Sequence, residues 1–550
     1  MTTYGTHASK NATHQKDQAR EDQVLNNAGG FVFALDKWKQ LDRFLILGAE
    51  GGTYYVDEKK HVQKNVKSLE ACIREDGPRT VARIVEISDA GRAPKNDPAL
   101  FALAVCAGSN NPVTRRAALD ALPKVARIGT HLFHFVADVE GQRRWGRSLR
   151  TAVAKWYTAK TADQVAFQAV KYQQRDGWSH RDVLRLAHPH APSAAHNATF
   201  RWITGGRDGL DAPTKKGREM SAELLPEIIR AFDEIMRQGV DVNRAVNLIV
   251  QHRLPHECVP NELKGNAKIW EAMLPNMGVT AVIRNLAKMT SVGLLGPMSN
   301  GTRSVVEMLG NREVLKKGRV HPISVLFAMK TYGGGYGLKG SLVWTPQREI
   351  VDALDEAFYQ TFDLIEPTGK RHLLALDISG SMAGALVQNT TLSARDVTAA
   401  MAMVTARSES AWHCMGFSNT FIPLAISPKQ RLDDVIAKIS GLPFASTDCS
   451  LPMLYASANK IPVDAFVVYT DNETYAGTPH PFQALKNYRQ QTGINAKLIV
   501  VGTDANPFII ADPSDAGMLD VCGFDTAVPA IMADFVRGDL ENVDTKKAVS

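Results

Sequence analysis

In the segment SAELLPEIIRAFDEIMRQG (221–239), Leu225, Ile228, Ile229, Phe232, Ile235 and Met236 recur at the three- and four-residue spacing of one helix face. Gly239 closes that segment. The same period returns in DPALFALAVCA (97–107), TRRAALDALPKVA (114–126), VTAVIRNLAKMT (279–290) and ISVLFAMKTY (323–332). Each stretch is short and set off by Pro, Gly, Asn or Asp. Residues 30–365 therefore read as many short helices without intervening strands, stacked in pairs as in an α-solenoid. No strict sequence period accompanies them.

After EPTGKR (366–371) the rhythm changes. The apolar runs HLLALDIS (372–379), SAWHCMGFS (410–418), DAFVVYTD (464–471) and NAKLIVVGT (495–503) have strand length. An amphipathic helix, SARDVTAAMAMVTARS (393–408), separates the first two. Near-continuous apolar strands alternating with helices predict a doubly wound parallel sheet, an α/β domain following a mainly α one. In such sheets ligands sit at the carboxyl ends of the strands. Asp377 and Asp471 each end a strand, so both fall on that rim.

Asp377, Ser379 and Ser381 alternate, which points them to one side of an extended loop. STDCSLP (446–452) adds Thr447 and YTDNET (469–474) adds Asp471. Hydroxyls plus carboxylates with no His or Cys nearby suit a hard divalent cation, Mg²⁺ best. The bland alternative is a capped strand-to-helix turn with ordinary hydroxyl hydrogen bonds.

Length and composition, 550 residues with 44% hydrophobic and 22% charged, imply a globular chain of at least two domains. No apolar run is long enough to cross a bilayer and no signal peptide is visible. The six cysteines are scattered without CxxC spacing, as reduced thiols in a cytoplasmic protein would be. The polar residues 1–28 read as a flexible tail. Charge divides unevenly. The last 184 residues carry 14 Lys and Arg against 18 Asp and Glu, and the first 366 carry 50 against 39. A basic front half suits a polyanionic partner, although a solvated surface would look the same.

Two clusters concentrate that charge. KYQQRDGWSHRDVLRLAHP (171–189) holds Lys171, Arg175, Arg181, Arg185 and His188. Read as helix, turn at Gly177, then helix, it puts Lys171 and Arg175 on one face and Arg181 and Arg185 on another. Trp178 reads as packing under the turn, and His180 as an ordinary helix residue. Residues 112–150 hold Arg115, Arg116, Lys124, Arg127, Arg143, Arg144, Arg147 and Arg150 around Trp145, a mixture that suits single-stranded nucleic acid. YGGGYGLKG (332–340) lacks the Lys-Ser/Thr ending of a phosphate-binding loop and reads as a connector.

The series Asp-x-Ser-x-Ser, Thr and Asp resembles the metal-ion-dependent adhesion site of von Willebrand factor A-type domains, and all five positions match. The resemblance implies Ser379, Ser381 and Thr447 as direct ligands, Asp377 and Asp471 bonding mainly through water, and an acidic partner completing the shell. The strings EPTGKRHLLALDISGSM, STDCSLPM, TDNETYAG and MLDVCGFD resemble the Ro autoantigen family. So do KYQQRDGWSHRDVLRLAHP, VIRNLAKMT and HPISVLFAMKTYGGGYGLKGSLVW, from that family's TROVE module. The resemblance implies a flexible tail (1–28), a ring of HEAT-like helical repeats (29–366) and an A-type domain (367–550). It further implies Y RNA on the basic outer face, with contacts at Lys171, Arg175 and His188, and single-stranded 3′ ends of misfolded noncoding RNAs in the channel.

The family includes animal and bacterial proteins. In the bacterial ones Y RNA tethers a 3′ exoribonuclease, polynucleotide phosphorylase, and that partner is expected here. A cytoplasmic, non-catalytic monomer in noncoding RNA quality control follows. Two alternatives stand beside it. One is an adhesion or protein-assembly module with no specific RNA role. The other is a metal nuclease using Asp377 and Asp471, which the hydroxyl-rich donor set disfavours.

Overall fold

A computed structural model describes residues 12–48, 58–142, 145–206, 222–337, 341–362, 365–384, 390–442 and 445–538. The strands are β1 (Gln23–Leu25), β2 (Phe31–Ala34), β3 (Gln174–Arg175), β4 (Trp178–Ser179), β5 (Arg371–Asp377), β6 (Ala411–Phe417), β7 (Phe421–Pro423), β8 (Ala465–Thr470), β9 (Lys497–Gly502), β10 (Phe508–Ile509) and β11 (Met518–Cys522). Most of the described residues between Lys37 and Gln360 are helical. Short polar caps start these helices. Thr161 with Gln164 and Ser179 with Asp182 form reciprocal capping boxes, each satisfying two backbone N–H groups. Along much of the chain each helix packs on the second one after it, as stacked pairs require.

The expected helix around Ile229 is shorter than its periodicity. It runs Glu227–Ile235 after Pro226, burying Ile229 and Ile235, and leaves Met236 51% exposed beyond its last turn. A second difference lies within the helical half. Residues 174–179 form the antiparallel ribbon β3–β4, closed by Asp176 and Gly177 at φ 52° and 78°. Positive φ at both turn residues is the geometry an Asp-Gly pair favours. Lys171 ends the helix Ala162–Lys171 while Arg175 lies in β3, so the two are not successive turns of one helix.

In the rear half the strand order is β11-β9-β8-β5-β6-β7. All neighbours are parallel except the edge pair β6–β7. The four strands expected from the apolar runs are β5, β6, β8 and β9. One sheet face shares a continuous core with the helices between Ala231 and Phe362. The other face packs around Phe466, Tyr488 and Val500, and Val32 of β2 joins it.

That last contact corrects the reading of the N-terminus. Residues 12–28 are not a loose tail in this structure. Strand β2 pairs with both β1 and β10, and Gln15, Gln23 and Asn26 are buried. Gln15 Nε2 donates to Asp448 at 2.7 Å, and Asn26 Nδ2 donates to the Thr474 carbonyl at 2.8 Å. Gly30 is required here, because a Cβ at that position would sit 2.0 Å from the Thr474 oxygen. By its contacts this strap belongs to the rear half, so the boundary at residue 29 is not a structural division. Residues 1–11 of the expected tail lie outside the described residues.

Opposite charges meet where the halves join. Arg43, only 1% exposed, donates to the Asn506 and Phe508 carbonyls at 3.3 Å each and to Asp520 at 2.5 Å. Arg92 pairs with Asp525 at 3.2 Å, and Lys330 with Asp396 at 2.6 Å. The helical module also closes on itself. Arg319 donates to the Asp89 carbonyl at 3.0 Å and to its carboxylate at 3.3 Å, while His321 Nε2 lies 3.3 Å from the Arg92 carbonyl. Removing one partner of a buried pair strands the other charge. Arg43→Ala should therefore lower stability by about 3–5 kcal/mol, read as a fall in the urea midpoint of unfolding. An unchanged midpoint would show that the pair does not hold the seam.

Candidate functional site

Parallel strands β5 and β8 lie side by side, with Leu376 opposite Tyr469, so both end at the same rim. Asp377 is the last residue of β5 and Asp471 follows β8 directly. Asp377 is fully buried; its Oδ1 accepts from the Ser379 N–H at 2.8 Å and its Oδ2 from the Thr470 hydroxyl at 2.7 Å. The Ser379 and Ser381 hydroxyls lie 3.0 Å apart, and Ser381 hydrogen-bonds Asp471. The loop carrying Thr447 is bound to the one after Asp471: Tyr475 N and Ala476 N both donate to the Thr447 carbonyl at 3.1 Å. From behind, the buried guanidinium of Arg395 donates to the Ile378 carbonyl at 2.5 Å and to that of Ser379 at 3.1 Å, fixing the loop's course.

Two observations test this pocket against a divalent cation. The Thr447 Oγ1 is buried with no hydrogen-bond partner among the described residues, an arrangement that costs free energy unless another group bonds it. Burial raises the Asp377 carboxyl, against the bonds from Ser379 and Thr470. Burial together with the neighbouring Asp377 and Glu473 charges holds Asp471 well above the usual carboxylate range. A cation among these oxygens would relieve both costs, and a set of neutral hydroxyls backed by two carboxylates fits Mg²⁺. The five expected positions thus fit the group.

The strap was invisible to motif reading, yet it backs this site. Asn27 Nδ2 donates to Glu473 at 2.6 Å, the Ala28 N–H donates to the same carboxylate at 3.0 Å, and Thr474 Oγ1 donates to Gln15.

The predicted cationic residues separate into three places. Around ribbon β3–β4, Arg175, Arg181, Arg185 and His188 are exposed, and Lys171 is half-buried. His188 caps the helix His180–Ala187 in the left-handed conformation, φ 49°. Lys171 Nζ is 3.8 Å from Glu257, and Arg175 lies 3.7 Å from Asp176, whose carboxylate pairs with His134. Trp178 packs on Trp145, with ring centroids 6.0 Å apart. His180 starts its helix, as expected of an ordinary helix residue, and is buried there: its Nδ1 is 2.7 Å from the Tyr157 hydroxyl, and burial pushes its pKa down to about 3.

Arg115 and Arg116 line a second place, a groove of about 680 Å³ that also takes in Arg147 and Lys155. Lys155 was overlooked, although Arg147, Thr151 and Lys155 follow the four-residue spacing of one helix face. Arg127 belongs to neither. It lines a cavity of about 720 Å³ between the helices Glu58–Ala90, Gly129–Gln142, Val279–Ser291 and Pro322–Gly334, together with Lys95, Arg284 and Arg319. Burial and the nearby Arg319 lower the pKa of Arg127; burial and Arg127 push His131 down to about 4. Arg143 and Arg144 lie outside the described residues.

A closed helical-repeat module joined to an A-type sheet, with a five-residue hydroxyl-carboxylate site on its rim, defines a TROVE–von Willebrand factor A protein. The TROVE domain model matches residues 24–216 and 255–333, and the Ro60 vWA domain model matches 371–536. The chain belongs to the Ro60 family. It is 40% identical over 530 residues to the RNA-binding protein RO60 of Deinococcus radiodurans, covering 96% of this chain and 97% of that one. To the RNA-binding protein RO60 of Caenorhabditis elegans it is 36% identical over 605 residues, covering 96% and 92%. The crystal structure of the Deinococcus radiodurans RO (RSR) protein superposes with a TM-score of 0.69 at 40% identity, over 92% of this chain and 100% of that one. Among the described residues no helix is long and apolar enough to cross a membrane.

A bound cation stabilises whatever state holds it. Adding MgCl₂ should raise the melting temperature of the native protein and leave that of Asp377→Ala unchanged, while the variant still folds. Equal shifts in both proteins would remove Asp377 from the site.

Proposed function

We propose that this chain is an RNA-binding protein of noncoding RNA quality control that catalyses no reaction of its own. The observation that carries the reading is the gathering of Lys171, Arg175, Arg181, Arg185 and His188 around one largely exposed ribbon and helix. Such a surface grips phosphates and positions an RNA without reading its sequence. The relatives' names as RNA-binding proteins support it. A structured Y-type RNA lies along this outer face and along the Arg115–Arg116 groove. The cavity of Arg127, Lys95, Arg284 and Arg319 takes the single-stranded 3′ end of a misfolded RNA. Its four convergent cationic side chains suit a polyanionic strand.

On the other half, Ser379, Ser381 and Thr447 would hold Mg²⁺, with Asp377 and Asp471 behind them. When bound, the ion supplies a positive centre for a carboxylate of an acidic partner protein. This chain's residues shape that centre: Arg395 fixes the loop carbonyls and Thr470 orients Asp377. Hydroxyls outnumber carboxylates, as suits docking and not the carboxylate-bridged ion pair of a phosphodiesterase. Polynucleotide phosphorylase, tethered through the Y RNA, would supply the nuclease. The protein acts as a cytoplasmic monomer.

Replacing both Lys171 and Arg175 by Glu should weaken binding of a Y-type hairpin RNA by several kcal/mol, on the order of 1–2 kcal/mol for each reversed charge plus the attraction lost. Filter binding at several salt concentrations would also show a shallower salt dependence in the variant, because fewer counterions are released. Native affinity in the double variant would remove this face from the RNA. Degradation of RNA by the purified chain would overturn the non-catalytic reading.

A further inference from the structure

Beside the ribbon, the helices Ala194–Gly205 and Glu227–Ile235 leave an open pocket of about 460 Å³ between them. Its walls are aromatic and only partly buried. Trp202 and Phe232 meet edge to face, with centroids 6.0 Å apart and planes at 85°. Asp233 orients the indole, accepting its N–H at 3.1 Å on both oxygens. Met236, 51% exposed, forms part of the mouth with a polarisable thioether. Arg181 and Arg237 complete it, and both are exposed.

Flat rings and a thioether left facing water beside two guanidinium groups match the chemistry of a nucleobase attached to its phosphate. We infer that this pocket receives one unpaired base of the RNA whose backbone runs along the neighbouring helix. The base stacks on one of the two rings, Trp202 or Phe232, and meets the other edge-on, while Arg181 and Arg237 hold the flanking phosphates. Arg181 belongs both to the pocket and to the phosphate-gripping face, so an RNA on that face reaches the pocket without a break. An acidic peptide could use the same arginines but would gain less from two aromatic walls. The inference rests on the RNA-binding reading above and adds to it a place where a single-stranded nucleotide must leave the stack.

The test uses the full chain and a hairpin RNA with single-stranded flanks, substituted throughout with 4-thiouridine. Irradiation should join one flanking nucleotide to a peptide containing Trp202, Phe232 or Met236, located by mass spectrometry. An abasic site at that nucleotide should weaken binding to the native protein on the order of tenfold, as loss of one stacked base does. Met236→Ala, a neutral change at an exposed position that leaves the core alone, should weaken the intact RNA severalfold and the abasic RNA no further. Its salt slope should stay unchanged, because no charge is added and no phosphate contact is removed. If the RNA binds with native affinity to Met236→Ala and crosslinks only elsewhere, the pocket inference falls and RNA binding stands. If the native chain fails to bind the RNA at all, both readings fall.

Discussion

The guanidinium of Arg43 sits where the helical module meets the sheet, with carbonyls from the β9–β10 connection and β10 on one side and the Asp520 carboxylate on the other. Burying such a charge is expensive unless acceptors and a counter-charge stand beside it, and here both Nη atoms are bonded while the buried Nε has no partner among the described residues. Its pKa is raised despite the burial, through Asp520, so it stays charged in the seam. The excess of basic residues in the front and acidic residues in the rear is therefore partly spoken for within the molecule. Arg92 with Asp525 and Lys330 with Asp396 repeat the arrangement along the join. Arg319 and His321 likewise tie the start of the helix Pro322–Gly334 to the end of Glu58–Ala90, two walls of the cavity.

The same economy of fixed dipoles governs the rim site. Arg395 grips the two carbonyls beneath Ser379, Thr470 and the Ser379 N–H hold Asp377, and the strap holds Glu473 and Asp448. A cation among these oxygens would find most of them already fixed, so its binding would demand little reorganisation. The hydroxyl-carboxylate cluster and the cationic ribbon lie on different halves of the chain. The parts that link them are the seam residues, not the ligand-binding ones.

What could be read from the residues alone was local. Strand-length apolar runs and the alternation of Asp377, Ser379 and Ser381 depend on neighbours one or two positions away, and β5, β6, β8 and β9 came out where expected. The ribbon β3–β4 had a local signal too, the Asp176-Gly177 pair, but it was outweighed by the helical pattern on either side. The strap had none. Gln15, Asn26 and Asn27 are polar residues whose partners lie more than 430 positions away, and a polar stretch with distant partners reads as a solvated one. Arg127 was grouped with Arg115 by proximity in sequence, whereas the helix end between them turns it into the cavity. Met236 fell on the periodic face, yet the helix stopped one residue short of burying it.

The strap also bears on how the chain is made. Its residues leave the ribosome more than 400 positions before Asp448, Thr474 and strand β10, which receive them. Contacts of such long sequence separation form late and slowly. Until the rear half exists, Gln15, Gln23 and Asn26 stay in water, and Val32 stays uncovered while the helical repeats condense one after another behind them. The loops of the rim site cannot be buttressed until this final stitch is made. A chain cut short between residues 360 and 447 would still carry the cationic residues 171–188 while lacking every element that receives the strap.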